Sequence, residues 1–234
     1  MRKDGQLILS LGIARSGKST LVKRIAEQFN RVIAFDPKAE YVTQLGFEAC
    51  VTPEELISKA RDLDSDGKLA FVAHDKKAFE LFCEVAFVFN QQKPALIICE
   101  ELAAVTNVAK ASGAWGRLVS QGLAYEPTII GTVQRGQEVD KSIMNNATFL
   151  NICQHQTDDD ANYIAKKLGI DVAMVPREPL KFIQWRAGKG LLCAGHIDHA
   201  GASSAHWPKG TPRFLINNSP KKLNKTQFAT VKYR

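Results

Sequence analysis

Residues 12–20 read GIARSGKST, a G-x-x-x-x-G-K-[ST] loop set directly between the apolar run LILSLG (7–12) and the helix-like segment KSTLVKRIAEQF (18–29). Glycines let such a loop curl so that its backbone N–H groups point inward around phosphate oxygens, and the helix that follows adds positive potential from its N-terminus. Gly12, Ile13, Ala14, Arg15, Ser16, Gly17, Lys18, Ser19 and Thr20 are therefore the candidate nucleotide-binding residues. Lys18 would bridge the outer phosphates, and the Ser19 hydroxyl would join the shell of a Mg²⁺ ion that accompanies ATP.

Outward from this loop the chain alternates apolar runs with periodic segments: RVIAFD (31–36), TPEELISKARDL (52–63), LAFVAHD (69–75), KAFELFCEVAFVF (77–89) and ALIICE (95–100). GAWGRLVSQGLAY, TIIGTV, a short helix near 138–146, TFLNICQ and DDDANYIAKKLG continue the order. Strand and helix in strict alternation predict an α/β fold with a mostly parallel central sheet flanked by helices. Thr157 or Asp158 is a natural N-cap for the last helix, and Gly169 its stop. After Pro176 the pattern changes to LKFIQWRAG and KGLLCAGHI, a β-hairpin over about 178–197. The expected organisation is an ATPase domain over 1–200 and a basic C-terminal extension over 201–234.

The run ALIICEELA (95–103) ends in two adjacent carboxylates, Glu100 and Glu101. Ligands bind outside the carboxyl ends of parallel strands, so this strand end belongs near the phosphates. Glu100 would hold the metal, mainly through water, and Glu101 would orient and deprotonate an attacking water. The same pair would also suit a helix start, where the dipole favours acids. A base beside the γ-phosphate serves hydrolysis and harms a small-molecule kinase, which must exclude water. In TIIGTVQRG the next strand ends on Gln134, whose amide can bond both the γ-phosphate and the water.

These segments resemble the FtsK/HerA superfamily of DNA-pumping ATPases, and within it the small packaging ATPases of tailless, membrane-containing icosahedral viruses of the tectivirus type. The resemblance rests on GIARSGKST, VIAFDPKAEY with its D-P-x-x-E-Y pattern, LIICEE, IIGTVQR and NNATFLNICQHQTDDDANYIAKKLG, and spans about residues 6–170. It implies a RecA-like P-loop NTPase core with ATP and Mg²⁺ as cofactors. It also implies Lys18, Glu101 and Gln134 in catalysis, Ser19 and Glu100 on the metal side, and Asp36 and Glu40 near the nucleotide, although a turn Asp before Pro37 is the alternative. The implied partners are double-stranded DNA, further copies in a homo-oligomeric ring, expected to be a hexamer, and viral capsid or packaging-vertex proteins. Two departures stand out: the family usually has Asp where this chain has Glu100, and Leu123 in QGLAYEP occupies the place of an arginine that reaches a neighbouring subunit. Arg117 and Arg135 are the arginines left for that role.

The expected function is an ATP-hydrolysing motor that packages double-stranded DNA into a preformed capsid, in the host cytoplasm during assembly and at the virion's packaging vertex. A plasmid or conjugative translocase, a P-loop small-molecule kinase and an ATP-switched binding protein are the alternatives. The net charge of +7 fits a DNA-handling role only by location: residues 209–234 hold seven Lys/Arg and no acid. The five cysteines are widely spaced in apolar surroundings, which predicts reduced core thiols. No run reaches the roughly 18 uncharged apolar residues of a membrane span, and the N-terminus lacks a signal-peptide pattern. His196, Asp198, His199 and His206 read as a polar loop rather than a metal site. Trp115, Trp185 and Trp207 read as packing residues, and AKASGAWGR, with Lys110 and Arg117, as a candidate loop for a DNA pore.

Overall fold

Two runs, RVIAF and LIIC, are buried along their whole length, as strands covered on both faces must be. They are β2 and β5 in a computed structural model that describes residues 5–63, 65–108, 111–197 and 203–206, the last four by backbone alone. In order the elements are β1 (Gln6–Leu11), α1 (Lys18–Glu27), β2 (Arg31–Phe35), α2 (Glu40–Leu45), β3 (Glu48–Cys50), α3 (Pro53–Asp62), β4 (Gly67–Phe71), α4 (Lys76–Gln92) and β5 (Leu96–Cys99). There follow α5 (Leu102–Val105), α6 (Gly113–Ser120), β6 (Thr128–Val133), α7 (Lys141–Asn146), β7 (Phe149–Ile152), α8 (Asp158–Leu168), β8 (Lys181–Arg186), β9 (Gly190–Ile197) and β10 (Ser203–His206). The chain divides into two compact units, one of residues up to Leu9, Phe29–Val133 and Glu138–Ala147, the other of Ser10–Gln28, Gln134–Gln137 and the residues from Thr148 on.

The first unit carries strands in the order β1-β6-β5-β2-β4-β3, with β3–β4, β4–β2, β2–β5 and β5–β6 all parallel. Its helices are started by local chemistry. At α3, Thr52 and Glu55 form a reciprocal capping box with Pro53 in the first turn; at α4, the Asp75 carboxylate accepts from the N–H groups of Lys77 and Ala78. The expected strand over 69–75 is thus shorter, ending at Phe71, because Asp75 belongs to the helix cap. Phe35 is the hub of the core, its ring centroid 5.1 Å from that of Phe79, 5.7 Å from Phe82 and 6.3 Å from Phe71. Phe35→Ala should cost about 3–5 kcal/mol, measurable by urea unfolding as a lower midpoint at unchanged slope.

The second unit carries β10-β9-β8-β7 with the end of β1, and β7–β8, β8–β9 and β9–β10 are antiparallel. The expected hairpin is therefore β8 and β9, extended by a third strand beyond residue 200. Leu21 of α1 packs in one cluster with Cys153, Phe182, Cys193 and Ile197, so the hairpin shares its core with the helix that follows the phosphate loop. Thr157 caps α8, its hydroxyl accepting from Asp160 N–H, and Gly169 ends the helix at φ +64°.

All five cysteines are free and buried. Trp115 is buried with its indole N–H donating to Asp140 at 3.2 Å, a packing residue as expected, and Trp185 is half-buried on β8. Among the described residues no helix is long and apolar enough to cross a membrane, and no group of three His, Cys, Asp or Glu could hold a metal. Lys110, Asp198, His199, Trp207 and the basic stretch 209–234 lie outside the described residues, as does the side chain of His206; the His196 side chain is exposed.

Candidate functional site

The phosphate loop leaves β1 through Gly12, at φ +142°, where an added Cβ would fall 2.9 Å from both Cys153 Cβ and Ser16 Oγ. It enters α1 through Gly17, at φ +97°, where a Cβ would fall 2.5 Å from the Ile197 side chain. Both glycines of the motif are thus demanded by backbone and by space. Ile13 N–H donates to Gln154 O at 2.9 Å and Cys153 N–H to Leu11 O at 2.8 Å, which ties the loop to the end of β7. Lys18 is buried and folds back on the loop, donating to Gly12 O at 2.5 Å and Ile13 O at 2.9 Å. Ser19 and Thr20 are half-buried, while Ala14 and Arg15 are exposed at the tip. The first turn of α1 has no acidic residue, so nothing there opposes the positive end of the helix dipole. The arrangement can receive an anion.

In the same unit Gln134 is exposed. Its neighbour Arg135 donates from Nε to the buried Asp160 at 2.9 Å, and the Thr157 hydroxyl donates to the other Asp160 oxygen at 2.6 Å. Burial opposes the charge on Asp160, but these two donors prevail and hold its carboxyl below the usual carboxylate value. Folding therefore favours the ionised form: the stabilisation is full above the ordinary Asp value of about 4 and is lost as pH falls through the lower native one. Acid unfolding should begin at higher pH in Asp160→Asn than in the unsubstituted protein, read by circular dichroism. Burial also lowers the pKa of His155, whose Nδ1 lies 2.9 Å from Cys153 O.

The acidic pair lies in the first unit at the end of β5. Glu100 is buried, and both of its oxygens meet hydroxyls: Tyr41 Oη donates to Oε1 at 2.6 Å and Thr132 Oγ1 to Oε2. Burial pushes the Glu100 carboxyl above the usual value, against the downward pull of those two donors. Glu101 has left-handed backbone at φ +55°, its N–H donating to Thr132 Oγ1 at 3.0 Å. Its side chain is 28% exposed and paired with Lys38 Nζ at 2.6 Å. One glutamate is thus locked inside and its neighbour faces solvent on a lysine. The hydrogen bond to Glu101 raises the Lys38 pKa. Asp36 is buried in the same unit and accepts the N–H groups of Glu40 at 2.9 Å and Tyr41 at 2.8 Å.

Arg117 is exposed on α6 with its guanidinium 4.2 Å from the centre of the Phe87 ring. Lys38, Tyr41, Thr132 and Asp160 are the participants that motif reading passed over, although the first two sit inside D-P-x-x-E-Y.

The chain matches no family profile. It is 29% identical over 143 residues to Protein P9 of Pseudoalteromonas phage PM2, a match covering 60% of this chain and 65% of the phage protein. Among solved structures it is similar to the genome packaging NTPase B204 of Sulfolobus turreted icosahedral virus 2 in complex with ATP-gammaS, with TM-score 0.64, 13% identity and coverage of 87% and 98% of the two chains. The cytoplasmic domain of the Thermomonospora curvata type VII secretion ATPase EccC aligns at TM-score 0.50 and 10% identity, over 80% of this chain and 23% of that one. In fold, the chain has the mixed, mostly parallel α/β architecture seen in the viral genome-packaging NTPases to which it is similar.

Proposed function

We propose that this protein is an ATP-hydrolysing motor that moves double-stranded DNA into a preformed viral capsid as a homo-oligomeric ring, with a hexamer as the expected state. The observation that carries this reading is the division of labour in the acidic pair: Glu100 buried and doubly held, Glu101 solvent-facing at the end of the same strand. The likeness to the packaging NTPases and to phage Protein P9 supports the choice of genome packaging within the P-loop class.

The backbone N–H groups of Gly12–Thr20 would wrap the phosphates, with Lys18 leaving its own loop carbonyls for the outer ones. The oxygen chemistry of the side chains is of the kind Mg²⁺ takes. Each Glu100 oxygen accepts one hydroxyl and keeps further acceptor capacity for a metal-bound water; in the phosphate loop, Ser19 would supply a hydroxyl. When bound, the ion neutralises charge on the β- and γ-phosphates. Glu101, released from Lys38, would take a proton from water as its oxygen attacks the γ-phosphorus and the bond to ADP breaks. Gln134 would orient that water. Arg117 and Arg135 are proposed to reach a neighbouring subunit's nucleotide, which requires each to give up an intrachain partner.

The test is orthophosphate release from ATP and Mg²⁺ by the purified full chain, with particle mass measured in parallel. Double-stranded DNA should raise the rate in an assembled ring. Transfer of the γ-phosphate to a small acceptor with no release to water would replace the motor by a kinase.

A further inference from the structure

The segment DPKAEY follows β2 and builds a tight turn around one side chain. Asp36 is fixed by its own N–H donating to Phe71 O at 2.9 Å, and its two carboxylate oxygens take the N–H groups of Glu40 and Tyr41. Ala39 adopts the left-handed region at φ +51°, with its N–H on Asp36 O at 3.1 Å. This backbone starts α2 and sends the Tyr41 ring into the core beside Phe47, fully buried. There a phenylalanine would satisfy packing. The hydroxyl present instead costs free energy to bury unless it is bonded, and it lies 2.6 Å from Glu100 Oε1. Thr132, reaching in from β6, holds the other oxygen and also accepts the Glu101 N–H. Two costly buried groups are kept together, and the geometry they fix is that of the metal-side carboxylate and the residue after it.

We propose that Tyr41 is a positioning residue for Glu100, and that the D-P-x-x-E-Y segment serves to deliver the Tyr41 hydroxyl to that carboxylate with Thr132 as its counterpart. This rests on the reading of Glu100 as the metal-side group.

Tyr41→Phe removes the donor and keeps the ring. In the full chain, the Mg²⁺ concentration for half-maximal ATP hydrolysis should rise by about 10–100-fold, the effect of losing a partner that orients a metal ligand, while ATP binding measured without Mg²⁺ stays unchanged. Glu100→Asp breaks the same bond by withdrawing the carboxylate, so the double variant Tyr41→Phe/Glu100→Asp should be no worse than the poorer single one. Thr132→Val provides the same Mg²⁺ titration should Tyr41→Phe fail to fold. An unshifted Mg²⁺ curve in a folded variant, with only a lowered melting temperature, would overturn the proposal. If Glu100→Gln hydrolyses ATP normally, the metal-side reading itself fails; if Glu100→Gln is dead and Tyr41→Phe has the unsubstituted protein's curve, this inference alone fails.

Discussion

On the proposed function, Glu101→Gln should lower ATP turnover by about 10²–10⁴-fold, the range for losing a positioned general base, and should leave binding of ATP and Mg²⁺ nearly unchanged. The amide matches the carboxylate in shape but has no affinity for the water proton, so the variant should hold unhydrolysed ATP. In the nucleotide-free protein Glu101 is neutralised by Lys38, an exposed pair whose worth is no more than about 1 kcal/mol. Such a pair can be opened cheaply. Lys38→Ala should therefore raise the DNA-free rate by a few-fold and shrink the ratio of DNA-stimulated to basal turnover, whereas a lysine needed to bind phosphate would lower both. Single-turnover hydrolysis with and without DNA separates these outcomes.

Glu100→Gln is expected to pull activity and stability in opposite directions. Burial holds the native Glu100 carboxyl above its ordinary pKa, so native stability associated with this group is greatest below that ordinary value and falls as pH rises through the raised one. At neutral pH the buried charge is a cost that a neutral amide of the same shape avoids. Without nucleotide the variant should melt about 2–4 °C higher if it recovers roughly 1 kcal/mol, while Mg²⁺-dependent hydrolysis is abolished. The stability difference should vanish below about pH 4, where a carboxyl is neutral in both states. Scanning calorimetry across pH measures both effects, and a lower melting point for Glu100→Gln at neutral pH would show that the carboxylate is net stabilising.

Much of this was legible from local chemistry. The turn between β1 and α1 was legible because both of its motif glycines answer to backbone geometry, a feature confined to nine residues. RVIAF and LIIC read as buried strands because, after the opening Arg31, nothing polar interrupts them, and Thr157 and Gly169 mark α8 by side-chain and backbone preferences that act within a few residues. What escaped reading depends on partners distant in sequence. Tyr41 looks like any aromatic until it meets Glu100, 59 residues on, and Arg135 looks free until Asp160 pairs with it. Arg31 opens a buried strand, yet its two terminal nitrogens donate to the carbonyls of Leu63, Ser65 and Phe89, with its guanidinium 3.6 Å from the centre of the Phe89 ring. No periodicity signals that clamp. The short α2 escaped for a related reason: its start is set by the Asp36 carboxylate four and five residues ahead of the N–H groups it caps, outside the usual cap spacing.

Displacement of a triplex-forming third strand from linear double-stranded DNA by the full-length protein tests the motor most directly. Strand release is predicted with ATP and Mg²⁺, and none with a non-hydrolysable analogue or with Glu101→Gln. Rapid ATP hydrolysis on the same DNA with the third strand left in place would contradict translocation and leave an ATPase without a motor.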